Sequence, residues 1–357
     1  MTGVPDADPA RRPLVLFDPF PRSRVLIFTD ADWQRLNDAA RVVSHEGERM
    51  PDAMVDEQIG EVDVILGQTD LPRERLDRAE NLKAIINVEG NFLPNIDYPE
   101  CFRRGIKVLG VAPAFAAPVA EMGIGFALDL VRGITSADRA FRDGEERYGL
   151  SGNTASYCLT GCEVGLIGFG NLGHALLPLL QPFRPRAIRV FDPWLPDAYL
   201  RDLGMTPASL DAVLSASRVT FVLAGVTTEN RGMIDARAFA LIPDGAAFVL
   251  LSRADIVDWD AFMAATRDGR IRAATDVFPQ EPAPADEPAR SNPHVLLSSH
   301  RAGGVREAFF RIGEMAVDDA LQVLRGLPPV RTQAARAETV ARMRSKPGRS
   351  YKPGEVK

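Results

Sequence analysis

The sequence predicts an α/β protein of two doubly wound parallel-sheet domains, one inserted into the other. Three observations predict it. Short β-branched or apolar runs alternate with amphipathic stretches, which is the rhythm of βαβ units. That alternation breaks at a turn-rich passage and a long apolar helix, then starts again. The chain has 357 residues, more than one compact domain usually holds.

In the first alternation, 14–17, 62–66, 84–88 and 106–109 read as strands. Pro113 and Pro118 bracket a turn, and 119–132 reads as an apolar helix with Glu121 and Asp129 near its ends. A polar stretch, 136–156, follows. The second alternation has strands at 163–167, 187–191, 219–223, 246–251, 271–274 and 295–297, with helices at 172–180, 210–215 and 260–267. A last helix, 305–324, is stopped by Gly326 and Pro328. The expected organisation is a first domain of 1–116 plus 305–330, an inserted domain of 117–304, and a basic, flexible tail of 331–357.

Composition limits the function classes. Hydrophobic residues at 46% and charged residues at 25% are globular values and exclude wholesale disorder. The net charge of −6 argues against a nucleic-acid-binding body. The tail from Arg331 carries eight basic against two acidic residues, a net +6, so the rest carries −12. Cys101, Cys158 and Cys162 form neither a disulfide framework nor a zinc signature, which points to a reducing, cytoplasmic setting and no metal. The longest uncharged apolar run, 108–120, is 13 residues and interrupted by two prolines, so no membrane partner is expected.

Gly168-Phe169-Gly170-Asn171-Leu172-Gly173 is G-x-G-x-x-G, following the apolar strand and opening a helix. Gly168 permits the turn, Gly170 lets backbone approach a pyrophosphate, and Gly173 lets helix and strand pack closely. Amides around Asn171 and Leu172, with the helix dipole behind them, face an anion. Nineteen residues after Gly173 a second strand ends at Asp192, placed to accept hydrogen bonds from ribose hydroxyls and to repel a 2′-phosphate. Strand, turn, helix and carboxylate together predict a Rossmann domain that binds NAD in preference to NADP.

Other polar residues fall just past strand ends, where such sheets bind ligands: Arg253, Asp276 with Glu281, and His300. Singly, each reads equally as a solvated or capping residue. In order and spacing, however, the glycine turn, Ser252-Arg253, Asp276-Val277-Phe278-Pro279-Gln280-Glu281-Pro282 and Ser299-His300 resemble the D-isomer-specific 2-hydroxyacid dehydrogenases, over about 62–326. Glu89-Gly90-Asn91 is similar to that family's substrate-carboxylate loop.

The resemblance implies that His300 is the general acid/base, Glu281 its partner, and Arg253 the residue gripping the substrate carboxylate and keto oxygen. It implies that Asp276 binds the nicotinamide carboxamide, with Thr227 and Gly303 nearby. Gly90 and Asn91 would offer backbone N–H groups to the substrate, and the protein would be a homodimer, through the helix 119–132. The chemistry agrees: reducing a 2-keto acid leaves charge on oxygen and needs a positioned proton donor, a role suited to His. A neighbouring carboxylate favours the imidazolium, so reduction is expected to decline as pH rises. A planar guanidinium can hold carboxylate and carbonyl together where an ammonium cannot.

The sequence also departs from the family pattern. Ala254 stands for a usual Gly, Gly225-Val226 for Pro-Leu, Ser299 for Pro, and Phe92 for Gly. Val88 stands where phosphoglycerate dehydrogenases carry Arg, and Glu89 brings a negative charge to the loop, which reads either as a sign of a substrate without a second strong anion or as a solvated loop carboxylate. Arg22 and Arg24, after the first strand, are candidates to approach the substrate crevice. Phosphite or formate oxidation on the same fold, and a non-catalytic NADH-sensing interaction protein, remain open alternatives.

Overall fold

The computed structural model describes residues 11–342. They divide into two compact units, one of 11–114 with 306–342 and one of Phe115–Val305, which is inserted into the first along the chain.

In the first unit, β1 (Leu14–Asp18), β2 (Arg41–Ser44), β3 (Val64–Gly67), β4 (Ala84–Asn87) and β5 (Lys107–Gly110) are all parallel, in the order β5-β4-β3-β1-β2. β1, β3 and β4 are buried along their length, which is why they read in the sequence as uninterrupted apolar runs. β2 was not expected. It is a half-exposed edge strand with only Val42 and Val43 apolar, so its signal is weak.

Residues after 330 correct the sequence reading. Gln333–Ala334 pairs antiparallel with β5, extending the sheet, and Ala337–Val340 is helical. The cause is Asp319, fully buried on the helix Arg306–Leu324. Its carboxylate accepts the amides of Val330 (2.8 Å), Arg331 (3.0 Å) and Thr332 (2.7 Å), and so turns the chain back onto the sheet. The expected free tail is therefore part of the first unit as far as residue 342; the remainder, 343–357, lies outside the described residues.

The second unit has β6 (Glu163–Ile167), β7 (Ala187–Phe191), β8 (Thr206–Pro207), β9 (Val219–Val222), β10 (Ala247–Leu250), β11 (Arg272–Thr275) and β12 (Val295–Leu297). All are parallel, in the order β12-β11-β10-β9-β6-β7-β8. The chain leaves β6 first toward β7 and then, on the other side, toward β9. This is the switch point where Rossmann sheets bind dinucleotides. The helix Ala116–Arg132 packs on the helix Asn171–Leu180 and on β10, burying Val119, Ala120, Phe126 and Leu130 among others. Its apolar composition is thus core composition. A second helix, Ile134–Asp143, lies where a polar connection was expected; none of its residues is buried, and Ile134 and Phe141 face solvent.

Candidate active site

The glycine turn sits at the end of β6. Gly168 has φ +88°, and a Cβ there would fall 2.6 Å from the Cα of Ala224. A Cβ on Gly170 would meet nothing within 4 Å, so that face of the turn is open to a ligand. Gly170 also stands at the cap position of the helix Asn171–Leu180 and offers no side chain to its first amides, the arrangement that leaves helix N–H groups for an anion. Gly173 is closely packed. A Cβ would strike the Phe169 ring at 2.6 Å, so the third glycine makes room for a side chain of its own turn.

Asp192 follows β7 and is half-buried. One oxygen accepts the Phe169 amide (2.8 Å) and the other the Trp194 amide (2.9 Å), tying the second strand end to the glycine turn. Each oxygen keeps a lone pair for a further donor. A depression of about 390 Å³, lined by Val190, Asp192, Pro193, Leu200, Pro207 and Ser209, opens beside it. The open face at Gly170, the uncapped helix start and this carboxylate fit a dinucleotide.

The residues expected to react follow β10, β11 and β12, which are neighbours in the sheet. The ring of His300 donates from Nδ1 to Oε2 of Glu281 at 2.5 Å, while Oε1 of Glu281 accepts the Phe278 amide at 3.0 Å. With Nδ1 committed, Nε2 is the atom left to exchange a proton with a ligand. His300 has φ +53°, a left-handed conformation that non-glycine residues adopt only when their surroundings impose it. Asp276 imposes it. Its carbonyl accepts the His300 amide (2.7 Å), and its fully buried carboxylate accepts the amides of Arg301 (3.0 Å) and Ala302 (2.9 Å). The residue expected to hold the nicotinamide is therefore, first, the clamp of the histidine loop.

Arg253 follows β10 and donates from Nη1 to the Ser252 carbonyl (2.6 Å). Burial lowers its pKa, opposed by the charges of Glu281 and Asp255. For Glu281 burial acts upward, but the hydrogen bonds from His300 and Phe278 and the His300 and Arg253 charges outweigh it and hold the carboxyl below its ordinary value. Imidazole, carboxylate and guanidinium are thus electrostatically coupled within the second unit. Thr227, buried after β9, donates its amide to Asn230 (2.8 Å), and a Cβ on Gly303 would touch Phe115 at 3.0 Å.

Gly90 and Asn91 belong to the first unit, in the loop after β4. The buried Asn87 accepts the Glu89 amide (2.7 Å) and a Gln68 amide proton (3.0 Å), fixing the start of this loop. Arg22 reaches it, pairing with Glu89 at 3.0 Å, whereas Arg24 pairs with Asp30 and lies over Trp33. Sequence reading missed the Arg22–Glu89 pairing, because 67 residues separate the partners. A larger depression of about 640 Å³ among Arg35, Asp318, Arg325 and Arg331 is a surface ion-pair cluster, with Asp318 bound by both Arg35 (2.7 Å) and Arg331 (2.5 Å). It contains no acid–base pair of the kind at His300.

Residues 124–302 match the family model described as D-isomer specific 2-hydroxyacid dehydrogenase, NAD binding domain. The chain belongs to this family. Its cofactor is NAD(H). A glyoxylate reductase of Thermofilum pendens is 30% identical over 308 residues, covering 82% of this chain and 88% of that protein. A D-3-phosphoglycerate dehydrogenase of Archaeoglobus fulgidus is 30% identical over 267 residues, covering 74% and 50% respectively, so the chain spans about half the length of that relative. Among solved structures, a phosphoglycerate oxidoreductase from Rhizobium etli superposes with a TM-score of 0.83 at 46% identity, covering 91% of this chain and 99% of that one.

Proposed function

We propose that this 2-hydroxyacid dehydrogenase works as an NADH-dependent reductase of small 2-keto acids, with the first unit as substrate domain. The observation that carries the reading is the 2.5 Å hydrogen bond between His300 and Glu281, coupled to Arg253. When bound, NADH supplies the hydride. His300 gives a proton from Nε2 to the oxygen on which charge develops. Glu281 holds Nδ1–H, fixes the tautomer and stabilises the imidazolium. Arg253 binds the carboxylate and polarises the keto group with its planar fork. Within the first unit, Gly90 and Asn91 are the proposed backbone N–H donors to substrate. Asp192 selects NAD over NADP by repelling a 2′-phosphate, and Thr227, Asp276 and Gly303 border the nicotinamide.

We also propose a cytoplasmic homodimer. The three cysteines are free thiols, which suits a reducing compartment. The helix Ala116–Arg132, first expected at the dimer contact, turns its apolar face into its own unit. The exposed large side chains Ile134, Phe141, Tyr148 and Leu150 offer a further surface to a second copy.

A second reading, oxidation of 3-phosphoglycerate, is favoured by the names of two relatives. Val88 in place of Arg and the negative Glu89 speak against it. The test is a two-direction assay: NADH oxidation with glyoxylate, hydroxypyruvate and pyruvate, and NAD reduction with 3-phosphoglycerate, formate and phosphite. We expect turnover of a small 2-keto acid, falling about 10²–10⁴-fold in kcat for His300→Ala. NADH binding with no 2-keto acid turnover would overturn the reading and favour a sensor.

A further inference from the structure

One charged pair beside the loop of Gly90 and Asn91 has no part in the mechanism above. Arg22 follows β1 and Glu89 follows β4, with β3 between the two strands in the sheet. The Arg22 guanidinium makes several contacts at once. Nη2 meets Glu89 Oε2 at 3.0 Å, Nε donates to the Val88 carbonyl at 3.0 Å, and the group lies 4.9 Å from the Phe309 ring centroid. The two side chains are 13% and 20% exposed, so the pair is largely withdrawn from water yet still reachable.

A guanidinium recruited to bind an incoming anion would offer its fork to the loop's open side. Here the chain's own carboxylate occupies it. A second anion arriving at this loop therefore finds the guanidinium already engaged, and a carboxylate in the place it would take.

We propose that Arg22 and Glu89 form a specificity gate. The pair admits 2-keto acids with an uncharged far end and rejects those bearing a second anionic group, phosphate or carboxylate alike. Discrimination of this kind uses repulsion against the wrong ligand as much as attraction to the right one. The gate rests on the 2-keto acid reductase reading. It goes further by naming the substrate class and two specificity-determining residues.

The test is a ratio. For wild type and variants, kcat/KM is measured with NADH for hydroxypyruvate, for 3-phosphohydroxypyruvate and for oxaloacetate. The gate predicts that Glu89→Ala raises the ratio of each doubly charged substrate to hydroxypyruvate at least tenfold, with Glu89→Gln in between. Adding Arg22→Gln to Glu89→Ala should remove that gain, because the released guanidinium is what captures the second anion. Should the double variant fail to fold, the two Glu89 variants alone decide the matter. A pair that merely staples the loop would change all substrates by one factor, and ratios within twofold of wild type would overturn the gate. Faster wild-type turnover of 3-phosphohydroxypyruvate than of hydroxypyruvate would overturn it too, leaving the reductase reading intact. No turnover of any 2-keto acid would overturn that reading itself.

Discussion

Two loops of this protein are built alike and differ in one chemical respect. The loop of His300 follows β12 in the second unit, and the loop of Glu89 follows β4 in the first. Each is fixed by a buried side chain that accepts backbone amides, Asp276 in one and Asn87 in the other. Each sets a carboxylate against a basic side chain, Glu281 with His300 and Glu89 with Arg22. The difference is the base. An imidazolium can surrender its proton, whereas a guanidinium stays charged and can only attract or repel. On the proposed reading, the same scaffold yields a proton-transfer site in one place and a fixed electrostatic filter in the other.

The largest effect that would sharpen this contrast is on turnover. Arg253→Ala should cost about 10²–10³-fold in kcat/KM for hydroxypyruvate, the usual worth of one donor aimed at developing oxygen charge. Arg22→Ala should cost less than tenfold on the same substrate. Equal losses in steady-state assays would break the distinction between reacting and filtering arginines.

Next come the anchors. Asp276→Ala strands the amides of Arg301 and Ala302, and Asn87→Ala strands the Glu89 amide and a Gln68 amide proton, at about 1–3 kcal/mol per group and most where the lost acceptor is a carboxylate. Urea titration should therefore show the greater loss for Asp276→Ala. Replacing Asp192 with Ala should narrow the preference for NAD over NADP, measured as a ratio of kcat/KM; an unchanged ratio would remove Asp192 from the ribose.

The smallest effect concerns acid. Glu281 titrates below its ordinary value when folded, so its stabilising contribution is complete above about pH 4.3, where an unfolded Glu ionises. That contribution is lost as pH falls through the lower folded value. The difference in Tm between wild type and Glu281→Gln should accordingly be greatest near neutrality and shrink on acidification. A difference growing toward low pH would have the wrong sign.

Much of this was legible in the sequence for physical reasons. Strands buried on both faces must be apolar throughout, so β1, β3, β4 and most strands of the second sheet announced themselves. The glycine turn and the Asp-Val-Phe-Pro-Gln-Glu-Pro segment are local constraints with local signatures. What stayed hidden was short, exposed or distant. β2 is a half-exposed edge, β8 is two residues long, and the helix Ile134–Asp143 buries nothing. The return of 330–334 to the sheet depends on Asp319, a carboxylate that reads as solvent-facing until its amide donors are placed. The clamp role of Asp276 and the grip of Arg22 on Glu89 are long-range contacts that no spacing encodes.

The central claim is that Glu281 acts through His300 as one unit. It is tested most directly by kcat with NADH and hydroxypyruvate for His300→Ala, Glu281→Gln and the double variant, since groups acting as a unit lose activity non-additively. The account predicts that the double variant is no slower than His300→Ala within about threefold. Losses that multiply across the two sites would mean that Glu281 works independently of the imidazole, and would contradict it.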